Sequence, residues 1–234
     1  MTASATAAAR PRRVPDKTVV LTFDDGVVSH VRHVAPLLKR YGFPATFFIC
    51  EFPGFEDKAT YMSWEQMASL HKMGFEVANH TLHHKMVDKL TREQFEVELK
   101  SLEDKAHALG VPRMTSFAYP SYANNAMSIE VLKQRGYRFA RAGFERPYDP
   151  LKDDPFLIPS FTTKADNRKD ILDALKSARD GKIVVLTIHG VPETAHPWVD
   201  TPPDLFREYL DFLRDNRYRP VAMRDLVRYA PRTA

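Results

Sequence analysis

The sequence predicts an α/β fold, a distorted (β/α) barrel with seven or eight parallel strands. Strand-like and helix-like segments alternate along most of the chain, which is typical of a parallel sheet with crossover helices. The 234 residues fall within the ~200–250 residues that α/β barrels commonly use as one domain. Polar residues follow the predicted strands, as they do at the functional rim of a barrel. Together these observations favour a barrel over an open sheet.

Short runs of β-branched and aromatic residues predict the strands. In chain order these runs cover residues 18–23, 45–50, 75–78, 114–119, 137–140, 156–161 and 183–188. Each run is too short to be a helix of ordinary length, and each is bounded by polar, Gly or Pro residues. They supply seven of the seven or eight expected strands.

Apolar residues at helical spacing predict helices between the strands. Ser63 with Gln66, and Thr91 with Gln94, have the spacing of capping boxes that open two of these helices. The predicted helices cover residues 31–41, 63–74, 91–110, 129–135, 168–180 and 203–215, and residues 221–229 complete the chain.

The charge distribution predicts two regions, a flexible N-terminal tail over residues 1–16 and a barrel domain over residues 17–234. Of the formal net charge of +4, three charges belong to Arg10, Arg12 and Arg13, with no acidic residue before Asp16. The basic character therefore lies in the tail and not on a binding face, so we expect no nucleic-acid partner.

The composition excludes several other classes of protein. No apolar run approaches the ~18–20 residues that span a bilayer, so we expect no membrane partner. Cys50 is the single cysteine, which excludes an internal disulfide or a CxxC metal site. A free cysteine and no visible export signal predict a cytoplasmic protein, with secretion of a longer precursor as the alternative. Whether the chain forms a homo-oligomer is left open.

A distinctive polar group follows each of the seven predicted strands. In strand order these groups are Asp24-Asp25-Gly26, Glu51, His80-Thr81-Leu82-His83-His84, Tyr119-Pro120, Arg141, Thr162-Thr163 and His189-Gly190. In a barrel all of them would meet at the C-terminal rim, where catalytic groups lie in nearly all enzymes of this architecture.

Three histidines and two carboxylates in this set predict a metal-dependent hydrolase of an amide or ester carbonyl. His80 and His84 are four residues apart, which would put both imidazoles on one face of a helical turn. With Asp25 they would make a His₂Asp triad that leaves Zn²⁺ a fourth position for water. Asp24 would accept a proton from that water, and His189 would donate one to the leaving group.

Each of these residues also has a structural interpretation that the sequence leaves open. Asp24-Asp25-Gly26 is favourable turn chemistry, and His189 could be a hydrogen-bonded core histidine. Glu51 is either a rim ligand or substrate contact, or a solvated loop acid. Arg141 is a candidate charge partner for the site.

Three motifs resemble those of the polysaccharide deacetylases, also called the NodB-homology or carbohydrate esterase 4 (CE4) family. Thr22-Phe23-Asp24-Asp25-Gly26 matches the TFDDG motif. Residues 80–84 match H-[ST]-x-x-H, and residues 186–189 match the late L-x-I-H motif. The resemblance covers about residues 17–229.

The resemblance implies removal of N- or O-linked acetyl groups from a carbohydrate, or from a related small acetylated substrate, by attack of metal-bound water. It implies one divalent metal, usually zinc and sometimes cobalt or nickel, held by Asp25, His80 and His84. It further implies Asp24 as the base and His189 as the acid. The backbone N–H that stabilises the oxyanion would belong to Ser121.

The third motif departs from the family pattern. Its usual Arg-x-Pro-Tyr reads Ala118-Tyr119-Pro120-Ser121, so the arginine that orients the base is missing. Either the loss of that arginine lowers activity, or Arg141 replaces it from the next strand; Tyr122 stands one place after the missing tyrosine. Tyr119, Tyr122, Arg141 and Glu51 join Ser121 as candidate oxyanion or substrate contacts. For the acid of the fourth motif Asp166 is a weak candidate.

Two alternative functions remain at this point. One is a cyclic amide or imide hydrolase of the same barrel family, which the altered third motif favours. The other is a catalytically silent metal-containing binding protein, which the missing arginine favours but Asp24 and His189 oppose.

Overall fold

Seven parallel strands close into a barrel, and an eighth strand joins its lower end, in the computed structural model, which describes residues 12–230. The strands are β1 (Thr18–Phe23), β2 (Thr46–Ile49), β3 (Glu76–Asn79), β4 (Ser116–Ala118), β5 (Phe139–Phe144), β6 (Ile158–Thr162), β7 (Val184–Ile188) and β8 (Arg219–Val221). The predicted distorted (β/α) barrel is therefore confirmed.

Helices connect the strands on the outside of the barrel. They are α1 (Ala35–Tyr41), α2 (Trp64–Lys72), α3 (Arg92–Ala108), α4 (Ala126–Gln134), α5 (Arg168–Lys176) and α6 (Pro203–Asp215). Both predicted capping boxes form: Ser63 and Thr91 accept hydrogen bonds from the backbone N–H groups of Gln66 and Gln94. Caps of this kind stabilise a helix by about 1 kcal/mol each.

The barrel closes differently at its two ends because β1 has three partners. β1 pairs with β7 along most of its length. At its upper end Thr22 and Phe23 pair with β2, and at its lower end residues 18–20 pair with β8. At the upper rim, where the strands end, the barrel is thus closed by direct pairing of β1 with β2. The eighth strand is added only at the lower end.

Alternation along the strands separates two apolar layers. Val19, Leu21 and Phe23 belong to the large cluster packed against the helices. Val20 belongs to a second cluster inside the barrel. Its members from the other strands are Phe48, Ala78, Ala118, Phe139, Ile158 and Val185. Extending this inward parity by two residues reaches His80 after β3 and Arg141 in β5, and extending it by four residues reaches Asp24 after β1 and His189 after β7. Alternation therefore directs these four side chains into the top of the barrel.

Some local predictions differ from the structure. Strand β5 continues beyond the predicted 137–140 to Phe144, with a register shift against β6 between Arg141 and Phe144. Residues 80–84 do not form a helical turn. No helix among the described residues is long and apolar enough to cross a membrane.

Of the predicted tail, residues 1–16, the part up to position 11 lies outside the described residues. Within the described part, the Arg12 N–H donates to the carbonyl of Arg228 at 3.0 Å. Val14 is buried and belongs to the barrel-interior cluster together with Met223 and Leu226. The chain before β1 therefore packs against the segment that follows β8.

Candidate active site

Asp24 and Asp25 reach the same cavity by two different routes. Asp24 points inward because it continues the alternation of β1. Asp25 is one residue later and would point outward, but its backbone adopts a left-handed conformation, with φ of 74°. This conformation is uncommon for a residue other than glycine and turns a second consecutive carboxylate toward the cavity. Gly26 follows with φ of 67°, a backbone conformation that glycine adopts without strain.

An irregular loop, and not the predicted helical turn, brings His80 and His84 together. Thr81 and His84 have positive φ values of 59° and 51°. The loop is tied to its surroundings at both ends. The side-chain oxygen of Asn79 accepts the Thr81 N–H at 2.9 Å. The buried carboxylate of Glu98, from α3, accepts the His83 N–H at 2.8 Å and contacts Lys85 Nζ at 2.9 Å.

Asp25, His80 and His84 form a cluster of three potential metal ligands. Asp25 Oδ1 lies 3.4 Å from His80 Nε2 and 3.3 Å from His84 Nε2. One donor atom from each residue lies within 4.8 Å of the others. Among the described residues Asp25 Oδ1 is buried without a hydrogen-bond partner. A carboxylate oxygen and two imidazole nitrogens, one of these atoms buried and unpaired, are a donor set that fits Zn²⁺.

The surroundings of the two histidines favour metal ligation. His80 Nδ1 contacts the carbonyl of Ala118 at 2.8 Å, which places a proton on Nδ1 and makes Nε2 the nitrogen that would ligate a metal. Burial, followed by the neighbouring His80, lowers the pKa of His84 to about 4, so its imidazole is neutral at pH 7. Burial alone would raise the pKa of Asp25, but His80, His189 and His84 together lower it.

Arg141 forms a buried ion pair with Asp24. The guanidinium is fully buried, and its Nη2 contacts Asp24 Oδ2 while Nη1 donates to Thr187 Oγ1. Its Cζ lies 5.5 Å and 5.4 Å from the ring centroids of Phe48 and Tyr122. Ala118, where the family pattern has arginine, is the direct register partner of Arg141. Arg141 therefore holds Asp24 from the neighbouring position on the adjacent strand.

His189 lies on the opposite side of the cluster, with Nε2 3.9 Å from Asp25 Oδ2. Its carbonyl contacts the buried ring of His30, His30 Nε2 being 2.8 Å away. Its Nδ1 is buried and has no hydrogen-bond partner within residues 12–230. Asp166, the weak candidate for a supporting acid, is exposed and does not line the cavity. Within the described residues, His189 Nδ1 therefore has no carboxylate that supports it.

These groups share one open cavity of about 280 Å³ at the C-terminal rim. The predicted site residues that line it are Asp24, Asp25, His80, His84, Tyr119, Ser121, Tyr122 and His189. Thr162, from the polar pair after β6, also lines it. Sequence reasoning missed four further lining residues, Phe52, His196, Trp198 and Val199, all in loops that follow β2 and β7.

A comparison with protein families identifies the family of the chain. The family model described as polysaccharide deacetylase matches residues 12–140, more than half of the chain. The chain belongs to the polysaccharide deacetylase family. The resemblance seen in the three sequence motifs is thereby confirmed.

Individual members of the polysaccharide deacetylase family are distant from this chain. YxkH of Bacillus subtilis (strain 168), whose name places it among polysaccharide deacetylases, is 27% identical over 128 residues. That match covers 54% of this chain and 45% of YxkH, so the chain spans about half the length of that relative.

Solved structures of CE4 proteins share the fold. The chitin deacetylase of Colletotrichum lindemuthianum is 18% identical, with a TM-score of 0.65 over 92% of this chain and 89% of that chain. A mutant of a CE4 pseudoenzyme with restored enzymatic activity is 14% identical, with a TM-score of 0.63 over 92% and 68% of the two chains. At these identities the likeness concerns the barrel alone.

The altered third motif forms one wall of the cavity. Ser121 and Tyr122 both adopt left-handed conformations, with φ values of 52° and 59°. Tyr122 contacts Thr162 Oγ1 through its hydroxyl at 2.6 Å. A Cβ at Gly143 would lie 3.1 Å from the Tyr122 ring, so glycine leaves room for this ring. Tyr119 is buried beside them, and burial raises the pKa of its phenol.

Glu51 is a predicted site residue that the structure separates from the cavity, whereas Arg141, which does not line the cavity either, acts on it through Asp24. Its Oε1 accepts hydrogen bonds from Trp64 Nε1 at 2.7 Å and from Lys105 Nζ at 2.6 Å. The interior-facing residue of β2 is Phe48, so Glu51, three positions later, has the outward parity. Its carboxylate therefore bridges α2 and α3 on the outside of the barrel.

Proposed function

We propose that the protein is a metal-dependent deacetylase that removes N- or O-linked acetyl groups from a carbohydrate. The observation that carries this proposal is the shared cavity of the Asp25–His80–His84 cluster and an Asp24 held by Arg141. Membership of the polysaccharide deacetylase family supports hydrolysis of acetyl groups as the reaction. The sugar and the linkage are the proposed parts.

Asp25, His80 and His84 are the residues that would hold the divalent cation, zinc being the first choice and cobalt or nickel the alternatives. When bound, such a cation supplies Lewis acidity that acidifies water and polarises a carbonyl oxygen. A mixed nitrogen and oxygen donor set of three protein groups suits Zn²⁺ and leaves a further position open toward the cavity.

Asp24 is the proposed general base. Its Oδ2 is engaged by Arg141, whereas Oδ1 is buried without a partner among the described residues and is therefore available to accept a proton from water. Arg141 is fixed in turn by Thr187, whose hydroxyl contacts Ser160 Oγ at 2.8 Å. This chain of contacts orients the carboxylate before substrate arrives, which is how a positioned base is effective.

His189 is the proposed general acid, because it lines the cavity on the other side of Asp25. Protonation of the departing nitrogen or oxygen of the sugar would complete the reaction. The backbone N–H of Ser121 is the proposed donor to the developing oxyanion, and Tyr119 and Tyr122 would contact the acetyl group or the sugar. The backbone role of Ser121 is indifferent to the side-chain change in the third motif.

The silent binding protein remains the second candidate, since a CE4 pseudoenzyme is among the proteins that share this fold. The oriented Asp24 and the cavity-facing His189 count against it, because binding alone requires neither. A cyclic amide or imide hydrolase has no specific observation in its favour beyond the altered third motif.

Acetate release tests the proposed function. Chelator-stripped protein is assayed with and without Zn²⁺ or Co²⁺ on chito-oligosaccharides, peptidoglycan fragments and acetylated xylan. We expect release from at least one glycan only when metal is added, and none from His80→Ala. His107→Ala, an exposed histidine of α3, is the matched control and should behave as the parent. Retained turnover in His80→Ala would contradict the mechanism. Stoichiometric metal binding with no release would favour the silent protein.

A further inference from the structure

Trp198 is an apolar side chain that lines the cavity and is also exposed to solvent. Its side chain is 70% exposed, among the most exposed large apolar residues of the described chain. It lies in the loop between β7 and α6, directly after the strand that carries His189. An exposed indole at the mouth of a polar site has more apolar surface in water than folding alone requires.

The loop that carries Trp198 is held rigidly by a buried carboxylate. Glu193 accepts three backbone N–H groups: Gly190 at 3.0 Å, Ala195 at 2.7 Å and His196 at 3.1 Å. Its own N–H donates to Asp200 Oδ1 at 2.7 Å. Hydrogen bonds to a charged acceptor are among the stronger ones in proteins, so the loop is ordered before any ligand binds. These hydrogen bonds therefore fix the position of the Trp198 loop at the mouth of the cavity.

A row of rings connects Trp198 to the metal-ligand cluster. Trp198 packs edge-on against His196 with centroids 5.3 Å apart, and His196 packs against Phe52 at 4.6 Å. Phe52 in turn packs against His84 at 4.5 Å. This row, Trp198, His196 and Phe52, forms one continuous wall from the reacting centre to solvent, which we call the aromatic wall.

The size of the cavity limits what it holds. Its volume of about 280 Å³ lies at the small end of the ~300–1,000 Å³ that is common for ligand sites. A cavity of this size has room for an acetylated unit at the cluster, so any covalently linked neighbour must lie at the mouth. The outer end of the aromatic wall is the surface that this neighbour would meet.

We infer that Trp198 is a specificity-determining residue that stacks against a second sugar ring, next to the acetylated one. The apolar C–H face of a pyranose ring would cover the exposed indole, and Glu193 would hold the loop that carries the indole. This inference rests on the proposed function and deepens it: the preferred substrate is a glycan of at least two rings and not a single small ring.

The test uses both tryptophans of the chain. Trp64 lies away from the cavity, so Trp64→Phe leaves Trp198 as the single tryptophan and is also the matched control. Metal-loaded Trp64→Phe is mixed rapidly with N-acetylglucosamine monomers, dimers and tetramers, and with acetylated xylo-oligosaccharides, and fluorescence is read before turnover. We expect a change with oligomers of one of these sugars and a much weaker one with the monomer.

Kinetics provide the second readout. We expect Trp198→Ala to lower kcat/KM about 2- to 10-fold for oligomers, mainly through KM, with no change for the monomer. Trp198→Phe should retain part of the parent's higher kcat/KM for oligomers, and Trp64→Phe should have the same kcat/KM as the parent. An equal loss on monomer and oligomers, or no loss on either, would overturn the role of Trp198.

Failure of this inference is distinguishable from failure of the proposed function. A Trp198 fluorescence change with oligomers but no acetate release would support the stacking role and contradict deacetylation. Metal-dependent acetate release at a rate that depends neither on chain length nor on Trp198→Ala would support deacetylation and contradict the stacking role. Thermal unfolding of Trp198→Ala should match the parent, because an exposed side chain contributes little to the core.

Discussion

Arg141 stands beside Ala118 in the β4–β5 register, and its guanidinium pairs with the buried carboxylate of Asp24. The polysaccharide deacetylase pattern has its arginine at the position of Ala118. The two paired positions start from the same inward face of the sheet, and in this chain the arginine that reaches Asp24 comes from position 141. The altered third motif has therefore moved the arginine by one strand without removing its contact with Asp24.

Arg141→Ala should destabilise the protein by about 3–5 kcal/mol, because it leaves Asp24 buried without a counter-charge. Acetate release should fall as well, since the base loses its orientation. Chemical denaturation and steady-state kinetics measure the two effects. The double variant Ala118→Arg/Arg141→Ala should recover part of both losses. A double variant no better than Arg141→Ala would show that the two register positions are not equivalent.

Asp24 and Asp25 should respond differently to removal of their charge. Asp24→Asn should bind metal as the parent does but lose about 10²–10⁴-fold in kcat, the contribution of a general base. Asp25→Asn should lose metal affinity first, and activity as a consequence. Metal content by elemental analysis, together with acetate release, separates the two roles. Equal metal loss in both variants would refute this division.

Glu98 should control metal affinity without contacting the metal site. Its buried carboxylate holds the His83 N–H and so fixes the loop between His80 and His84. Glu98→Ala should weaken metal binding about 10- to 100-fold, as loss of an outer-shell partner typically does. A competitive chelator titration gives the affinity. Glu93→Ala, an exposed acid of the same helix, is the control and should leave the affinity unchanged.

Glu76 should make stability depend on pH at the bottom of the barrel. The carboxylate is buried, and burial raises its pKa although Ser116, Thr46 and the Arg224 N–H hydrogen-bond to it. Between the unfolded pKa of about 4.5 and the higher folded pKa, the native state therefore holds a proton that the unfolded chain has lost. Stability from this group is present below that pH and is lost as pH rises through the folded pKa.

Glu76→Gln should remove this part of the pH dependence. Its amide oxygen can accept from Thr46 and from the Arg224 N–H, and its NH₂ can donate to Ser116. The free energy of unfolding, measured by denaturant between pH 4 and 8, should fall less with rising pH in Glu76→Gln than in the parent. Glu56→Gln, at an exposed loop position, should retain the parent slope. Parallel slopes in all three proteins would contradict this assignment.

Much of the barrel and of the cavity could be predicted because the alternation of side chains along the strands determines which residues face the barrel interior and which reach the cavity. Thr22, Asp24, Thr187 and His189 continue the inward alternation of their strands, and the structure brings Asp24 and His189 into one cavity. The same parity favours Arg141, which is two residues after the inward Phe139. It also separates Glu51 from the site, so reading parity through the end of β2 would have corrected that prediction.

The remaining features depend on backbone conformations that spacing does not reveal. His80 and His84 meet through left-handed residues in a loop anchored by Glu98, although their four-residue spacing equally suits a helix. Phe52, His196 and Trp198 lie in loops without periodicity, and the long-range contacts that shape those loops have no local signature. Their only signal was position, since aromatic residues after β2 and β7 belong to the rim.

The pairing order of the strands separates the protein into an early and a late part along the chain. Strands β1, β2 and β3 pair consecutively and carry Asp25, His80 and His84, so the whole cation-ligand set is encoded within residues 18–84. Arg141 and His189 arrive only with β5 and β7, and β7 must find β1 across about 165 residues of chain. During vectorial synthesis the cation ligands are therefore made first, and the groups that anchor them, Glu98 and the Ala118 carbonyl, follow with α3 and β4. The proton-transfer machinery must wait for the ring of strands to close.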